Sequence, residues 1–585
     1  MTESIGSVGA SWGLLVDGLI ILLYFVLITT IGLYMGRRER SLHDYALGGR
    51  QMPWWAVMAS IIAAETSAAT FLTVPAEGFK ERGIVYTQLC FGLILGRVLV
   101  GMVFLKPYYD YRVYTVYDFL AVRFGPKTKN YVSMLFLIFR TLAMGVRVYV
   151  PALVMVLAWR MIVHQEQIRD LATGDSWVPY GVAIFVLVAI TTAYTFLGGI
   201  KAVIWTDLIQ ATLMFSSAIV AIFSILTHLG KGSIVGGLAT LGNLVPEMTS
   251  LQGYIRFGWE GISAELGISA EPGIGEAFTA FAKNVLADPY TLFSALIGYT
   301  IFNMAMFGTD QDMVQRLLTA KDYRRSRRSL LTAALMDLPI FAAFSFIGVL
   351  LLAFYQIEPS LKPTKVNDIF GAYIMNVMPV VVRGFVLAGL FATAMGSLSA
   401  ALNALATSAT NDWYLHYLGR KVSERHQITA ARIFTILFAL LMVVIATFTA
   451  YNNVVNPDSR LIPIALGVAG LFAGPMLGVF LVGMLTKTRG SDEGNMIALS
   501  VGLVATLALC GQVVDVLNLL WPRPTPWQMP AWWPKIAFTW YALIGALITF
   551  AVAVLFPTPQ PVLAEAARRR QQAEVEGDKP LALRS

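Results

Sequence analysis

Apolar runs of membrane-spanning length recur along nearly the whole of this chain. A helix needs about 20 mostly apolar residues to cross the hydrocarbon core of a bilayer. Runs of that kind lie near 14–36, 54–76, 84–107, 130–163, 178–196, 203–228, 290–309, 330–355, 382–411, 428–450, 462–486, 495–515 and 536–556. Lipid offers no hydrogen bonds, so such runs must pair their backbone groups internally, as helices. The chain is 57% hydrophobic and 13% charged, about half the roughly 25% charge of a soluble domain. The pattern predicts an all-α integral membrane protein with about thirteen transmembrane helices. Glu3 and Asp17 precede the core of the first run, which therefore lacks the basic start of a cleaved signal peptide.

Composition narrows the chemistry. Cys90 and Cys510 are the only cysteines and both lie in apolar runs, so neither a disulfide framework nor a metal cluster is expected. Five scattered histidines do not make a metal site. No zinc motif, paired catalytic carboxylates or nucleophile elbow appears in the spans, so the chain is not expected to be an enzyme. The net charge of +8 is spread along the loops, which argues for membrane anchoring and against nucleic acid.

Lys and Arg set the expected orientation. They gather in one set of alternate loops and the C-terminal tail, including Arg37-Arg38-Glu39-Arg40, the Arg316–Arg328 stretch, Arg420-Lys421 and Arg568-Arg569-Arg570. The N-terminus is then outside and the C-terminus cytoplasmic. The expected division is an extra helix and loop (1–53), five spans (54–228), an external, partly helical loop (229–289), five more spans (290–486), two further spans (487–556) and a disordered tail (557–585). Glu260, Glu265 and Glu271 punctuate that external loop. A tail this short leaves no room for an attached signalling domain.

Transporters bind solutes where helices unwind near the midplane. Two segments are suited to unwinding. Span two reads Ile61-Ile62-Ala63-Ala64-Glu65-Thr66-Ser67-Ala68-Ala69-Thr70, a carboxylate and three hydroxyls among small residues. Span nine reads Phe391-Ala392-Thr393-Ala394-Met395-Gly396-Ser397-Leu398-Ser399-Ala400, followed by Asn403, Thr407 and Ser408. Close helix packing explains the small residues alone. It does not explain Glu65, since an ionisable group at mid-span is costly. Asp207 opens span six, where a helix cap is the plain reading. Arg140 and Arg147 share one face of span four, and Arg160 near its end is expected to snorkel. Arg147 is a candidate for pairing with Glu65 or another acid, or for holding an anionic solute. Asp337 precedes Pro339, which is expected to loosen span eight.

Three stretches resemble the sodium:solute symporters, a family of carriers for sodium with proline, sugars, sialic acid, iodide or monocarboxylates. They are Tyr45-Ala46-Leu47-Gly48-Gly49-Arg50-Gln51-Met52-Pro53-Trp54-Trp55, Gly198-Gly199-Ile200-Lys201-Ala202-Val203-Ile204-Trp205-Thr206-Asp207, and Gly308-Thr309-Asp310-Gln311 with Gln315-Arg316 and Ala320-Lys321. The resemblance covers roughly residues 10–560 and implies a leucine-transporter-type fold with a 5+5 inverted repeat. It implies a sodium site made by the carbonyls of Ala63, Thr66 and Thr393 and by side chains at Gly396 and Ser397. Gly396 departs from the family's hydroxyl, which leaves a proton as the alternative coupling ion. Asp207 and Ser399 fit part of a second cation site.

Candidates for the substrate pocket are Glu65, Ser67, Ala69, Thr70, Arg147, Asn303, Asp337 and Gly467. Sugar carriers have Glu-Gln at Ala69-Thr70, lysine at Asp337 and glutamine at Gly467; only their asparagine is kept, as Asn303. The Val74-Pro75-Ala76-Glu77 turn resembles the iodide, vitamin and monocarboxylate branch instead. The implied function is cation-coupled symport of a small organic solute, with an anion favoured, by alternating access. The expected unit is a monomer in a plasma (inner) membrane, with sodium, solute and lipid as partners and no cofactor. Uncoupled transport and a transporter-like sensor are the competing readings.

Overall fold

The computed structural model describes residues 2–36, 41–81, 83–164, 176–259, 274–418, 422–455, 461–511 and, with short gaps, 513–575. The Arg37–Arg40 and Arg420-Lys421 clusters and the acidic residues Glu260, Glu265 and Glu271 lie outside them. In chain order the helices are α1 (Thr2–Met35), α2 (Leu42–Leu47), α3 (Trp54–Glu65), α4 (Ala68–Glu81), α5 (Leu89–Val103), α6 (Leu105–Asp110) and α7 (Val116–Arg123). There follow α8 (Pro126–His164), α9 (Val178–Leu229), α10 (Ile234–Leu244), α11 (Ile274–Ala287), α12 (Thr300–Thr309), α13 (Gln311–Leu318) and α14 (Tyr323–Ile357). The last are α15 (Ile369–Asn376), α16 (Val382–Ser408), α17 (Glu424–Val455), α18 (Leu461–Leu485), α19 (Asp492–Leu509), α20 (Phe538–Val554) and α21 (Gln560–Val575).

Among the described residues, eight helical stretches are long and apolar enough to cross a membrane, one of them (Val85–Asp110) joining α5 and α6; α3 with α4, bent by 69°, makes a ninth if the pair is one span. The 52-residue α9 would be about 78 Å long if straight, far beyond a hydrocarbon core of about 30 Å. It breaks at Gly199 (φ 49°, ψ −154°), a conformation open almost only to glycine. The apolar runs read at 178–196 and 203–228 are its two arms.

The distribution of side chains is that of a protein in lipid. On α1, Trp12, Leu15, Leu19, Leu22 and Leu23 are more than half exposed, and on α17 so are Ile433, Leu440 and Val444. The interior holds Ser60, Asp207, Gln311, Arg316, Asn403 and Asp412, all fully buried. A soluble core has the opposite order. Every buried charge is therefore expected to have a partner. Asp17 of α1 meets Arg383 at the start of α16 at 2.6 Å. Lys129 bridges Asp118 at 2.7 Å and Asp412 at 3.1 Å.

Four expectations are corrected. Span nine is not broken: α16 runs unbroken through Gly396, since its small residues also pack tightly as a helix. Pro339 does not interrupt α14, which runs from Tyr323 to Ile357 with the proline inside it. Val74–Glu77 is not a turn but part of α4, with Pro75 inside the helix. The tail read as disordered carries α21; its Ala, Glu, Arg and Gln are strong helix formers.

Candidate functional site

The break between α3 and α4 falls at Thr66 and Ser67. Thr66 is extended (φ −78°, ψ 118°). The carbonyls at the end of α3 therefore lose the amides that a continuing helix would supply. The negative end of the α3 dipole also points at this break. Ser67 starts α4: its hydroxyl accepts from the Thr70 amide at 3.3 Å and lies 3.2 Å from the Thr70 hydroxyl. One chain break thus presents carbonyls on one side and amides on the other.

α16 closes the carbonyl side. Ser397 Oγ donates to the Thr66 carbonyl at 3.0 Å and to the Thr393 carbonyl, one turn back on its own helix, at 3.0 Å. Gly396 faces Ala63 so closely that a methyl group added to it would lie 3.1 Å from the Ala63 carbonyl oxygen. All five residues read as the sodium site are therefore brought together, and all four side-chain-bearing members are buried. Carbonyl and hydroxyl oxygens in a dry pocket are suitable ligands for a hard monovalent cation.

Of the second candidate site, Asp207 and Ser399 each have protein partners, while Oδ1 of Asp207 is buried without one among the described residues. Asp207 is no helix cap, because α9 continues past it on both sides. Its Oδ2 accepts from Ser60 Oγ at 2.6 Å and from Arg316 Nη2 at 3.3 Å. Arg316 also donates to Ser60 at 2.9 Å and to both the carbonyl and the carboxylate of Asp312 at 2.7 Å. The charge that a cation would bring to Asp207 is already supplied by Arg316. Ser399 Oγ donates to the Gly396 carbonyl of its own helix at 3.1 Å. Asn403 and Thr407 serve packing too, accepting from Gln315 at 2.8 and 3.1 Å.

Glu65 and Asp337 do meet, through a residue that sequence reasoning passed over. Arg97 of α5 is fully buried, donates to Glu65, and lies 2.8 Å from Asp337. Its guanidinium stacks on the Phe307 ring at 3.9 Å. An arginine inside Leu-Ile-Leu-Gly-Arg-Val-Leu-Val is a mid-span charge, so the signal was there. Asn303 packs on α5 beside it, its Cβ 2.8 Å from where a methyl on Gly96 would be, while its amide donates to Tyr299. Glu65, Ala69 and Thr70 are each only partly buried and so face open space beside the break.

Arg147 does not pair with Glu65. Arg140, about two turns away on the same face, takes Asp310 at 3.4 Å and Asp312. Arg147 has Met144 Sδ at 4.0 Å, and among the described residues no carboxylate lies within ion-pair distance of it. Arg160 stacks over Tyr180 at 5.6 Å. Gly467 lies in the part of α18 whose side-chain surroundings are outside the described residues.

Comparison with known proteins places the chain in a family. The model of the sodium:solute symporter family matches residues 45–502. The sodium/sialic acid symporter of Aliivibrio fischeri is 25% identical over 91% of each chain. That of Proteus mirabilis is 24% identical over 83% of this chain and 87% of its own. The outward-open, substrate-bound structure of a Na+-coupled sialic acid symporter superposes with a TM-score of 0.71 at 22% identity, covering 93% of this chain and 99% of that one. The chain is a multi-pass membrane transporter and belongs to the sodium:solute symporter family.

Proposed function

We propose that this protein carries a small organic anion together with sodium, and that sodium binds at the α3–α4 break. One observation carries the site: Ser397 Oγ joins the Thr66 and Thr393 carbonyls across two helices. A cation placed there is held by both carbonyls and by a lone pair of Ser397 Oγ, whose one proton turns away, and it ties α16 to the break. Solute binds on the amide side, beside Ser67, Ala69 and Thr70. By linkage each ligand then raises the other's affinity by the same factor. An inward-negative potential adds about 2.3 kcal/mol per charge per 100 mV.

The anion reading rests on Arg147, a mid-span cation with no carboxylate in ion-pair distance among the described residues. Two relatives are named for sialic acid, itself an organic acid. The inverted repeat is supported by two interruptions: the α3–α4 break in the first half, and the π-helical turn Ser294–Tyr299 leading into α12 in the second. With about thirteen crossings the N-terminus is outside, the C-terminus cytoplasmic, and the plasma membrane the site of action.

Proteoliposomes with an imposed inward sodium gradient test the reading. Sialic acid is the first probe, followed by small carboxylates and neutral sugars. Accumulation of an anion that stops when potassium replaces sodium is expected. Accumulation of neutral sugars alone contradicts the anion reading. Proton coupling is the second reading, favoured by the two carboxylates around the single Arg97, with Tyr86, Cys90 and Tyr299 close by. Uptake driven by a pH gradient without sodium, and lost in Glu65→Gln, would select it.

A further inference from the structure

Gly396 removes an oxygen from the carbonyl side of the break, and a neighbouring helix fills the room. Gln210 of α9 is 1% exposed. Its side-chain oxygen lies 3.0 Å from where a methyl on Gly396 would be, the same point that is 3.1 Å from the Ala63 carbonyl oxygen. That amide oxygen is buried and has no hydrogen-bond partner. At the other end of the amide, Nε2 donates to the Tyr24 hydroxyl at 3.3 Å. The Tyr24 hydroxyl in turn donates to Met395 Sδ at 3.7 Å. The Tyr194 hydroxyl, within hydrogen-bonding reach of the Gln210 amide, donates to the Met395 carbonyl at 3.5 Å.

An unpaired acceptor in a dry interior is unfavourable unless something occupies it. Here the vacant acceptor borders Ala63 and Gly396, two members of the sodium site. A small cation suits a place where the Ala63 carbonyl oxygen and the Gln210 side-chain oxygen converge on one point.

We propose that the side-chain oxygen of Gln210 is a sodium ligand, standing in for the side chain that Gly396 lacks. The inference rests on the sodium site at the α3–α4 break proposed above. It makes the two positions exclusive: a hydroxyl at 396 and a glutamine at 210 compete for one space. The site is then held by three helices, with α9 joining α3 and α16.

The test is the sodium concentration that gives half of the sodium-induced rise in melting temperature, measured in detergent at constant ionic strength with choline. Gln210→Met keeps the volume without a hard oxygen. It is expected to raise that concentration about tenfold or more, the scale of losing one contact to a charged group. Gly396→Ser alone is expected to weaken sodium as well, by crowding Gln210. The double variant Gln210→Ala with Gly396→Ser is expected to recover most of the affinity, which a merely structural role for Gln210 does not predict. Should Gln210→Met not fold, the double variant and Gly396→Ser decide the matter between them. A change of less than about twofold in Gln210→Met, with sodium response weakened about tenfold in Ser397→Ala, overturns the Gln210 assignment alone. Unchanged response in Ser397→Ala overturns the site itself.

Discussion

Ser397 and Asp207 look alike in the sequence, as polar residues in apolar spans, yet their partners give them different roles. Ser397 donates to the Thr66 carbonyl at the break and to the Thr393 carbonyl of its own helix, so a cation can take both over. Ser397→Ala is expected to raise the sodium needed for half-stabilisation about tenfold while the melting temperature in choline stays near that of the parent. Asp207 answers the charge of Arg316. Removing one partner of a buried pair costs about 3–5 kcal/mol. Asp207→Ala should therefore lower the melting temperature in choline and sodium alike. A normal melting temperature with a selective loss of sodium response would return Asp207 to a cation site. Arg147 gives a third expectation: Arg147→Gln weakens an anionic solute and leaves the sodium-induced stabilisation intact, as solute titrations in saturating sodium would show. The carbonyl ligands were legible only because a family resemblance supplied them, since a backbone oxygen leaves no mark in a sequence. Arg97, Arg316 and Gln210 were present as polar letters, but their partners lie far along the chain, as with Ser60 and Arg316.

Breaks and junctions decide what the helices do. The α3–α4 break was readable from Ala63–Thr70, because small and hydroxyl-bearing residues cluster where backbone must be exposed. The same cue in α16 misled, since small residues equally serve close packing, and α16 is unbroken. At Gly199 the positive φ makes a side chain strained. Gly199→Ala should cost about 1–3 kcal/mol, read as a lower melting temperature; an unchanged value would mean that the two arms of α9 re-angle freely. The junction of α3, α5 and α14 depends on Arg97 between two acids. Arg97→Gln should destabilise strongly by leaving Glu65 and Asp337 facing each other. Adding Glu65→Gln should restore part of the loss, with a coupling of about 0.5–3 kcal/mol in the double-mutant cycle. Additive effects would show that these side chains do not act as one unit.

For the molecule as a whole, the apolar exterior and polar interior were set by hydropathy, and the length of each run against bilayer thickness gave the class of fold directly. What hydropathy could not give is which buried polar groups hold the bundle and which await a ligand; that depends on pairings across hundreds of residues. The account divides them. Arg316, Lys129 and Arg383 are satisfied by acids, whereas the carbonyls at the α3–α4 break and the oxygen of Gln210 face one another with few donors between them. Sodium binding there should stabilise the whole fold by mass action, about 2.7 kcal/mol at a hundredfold excess over the dissociation constant. The most direct test is the melting temperature of the purified protein in sodium, potassium and choline chloride at equal ionic strength, with Ser397→Ala alongside. A rise specific to sodium in the parent, moved to about tenfold higher sodium in Ser397→Ala, is predicted. Equal melting temperatures in all three salts, or a sodium dependence unchanged in Ser397→Ala, would contradict a sodium site at the break.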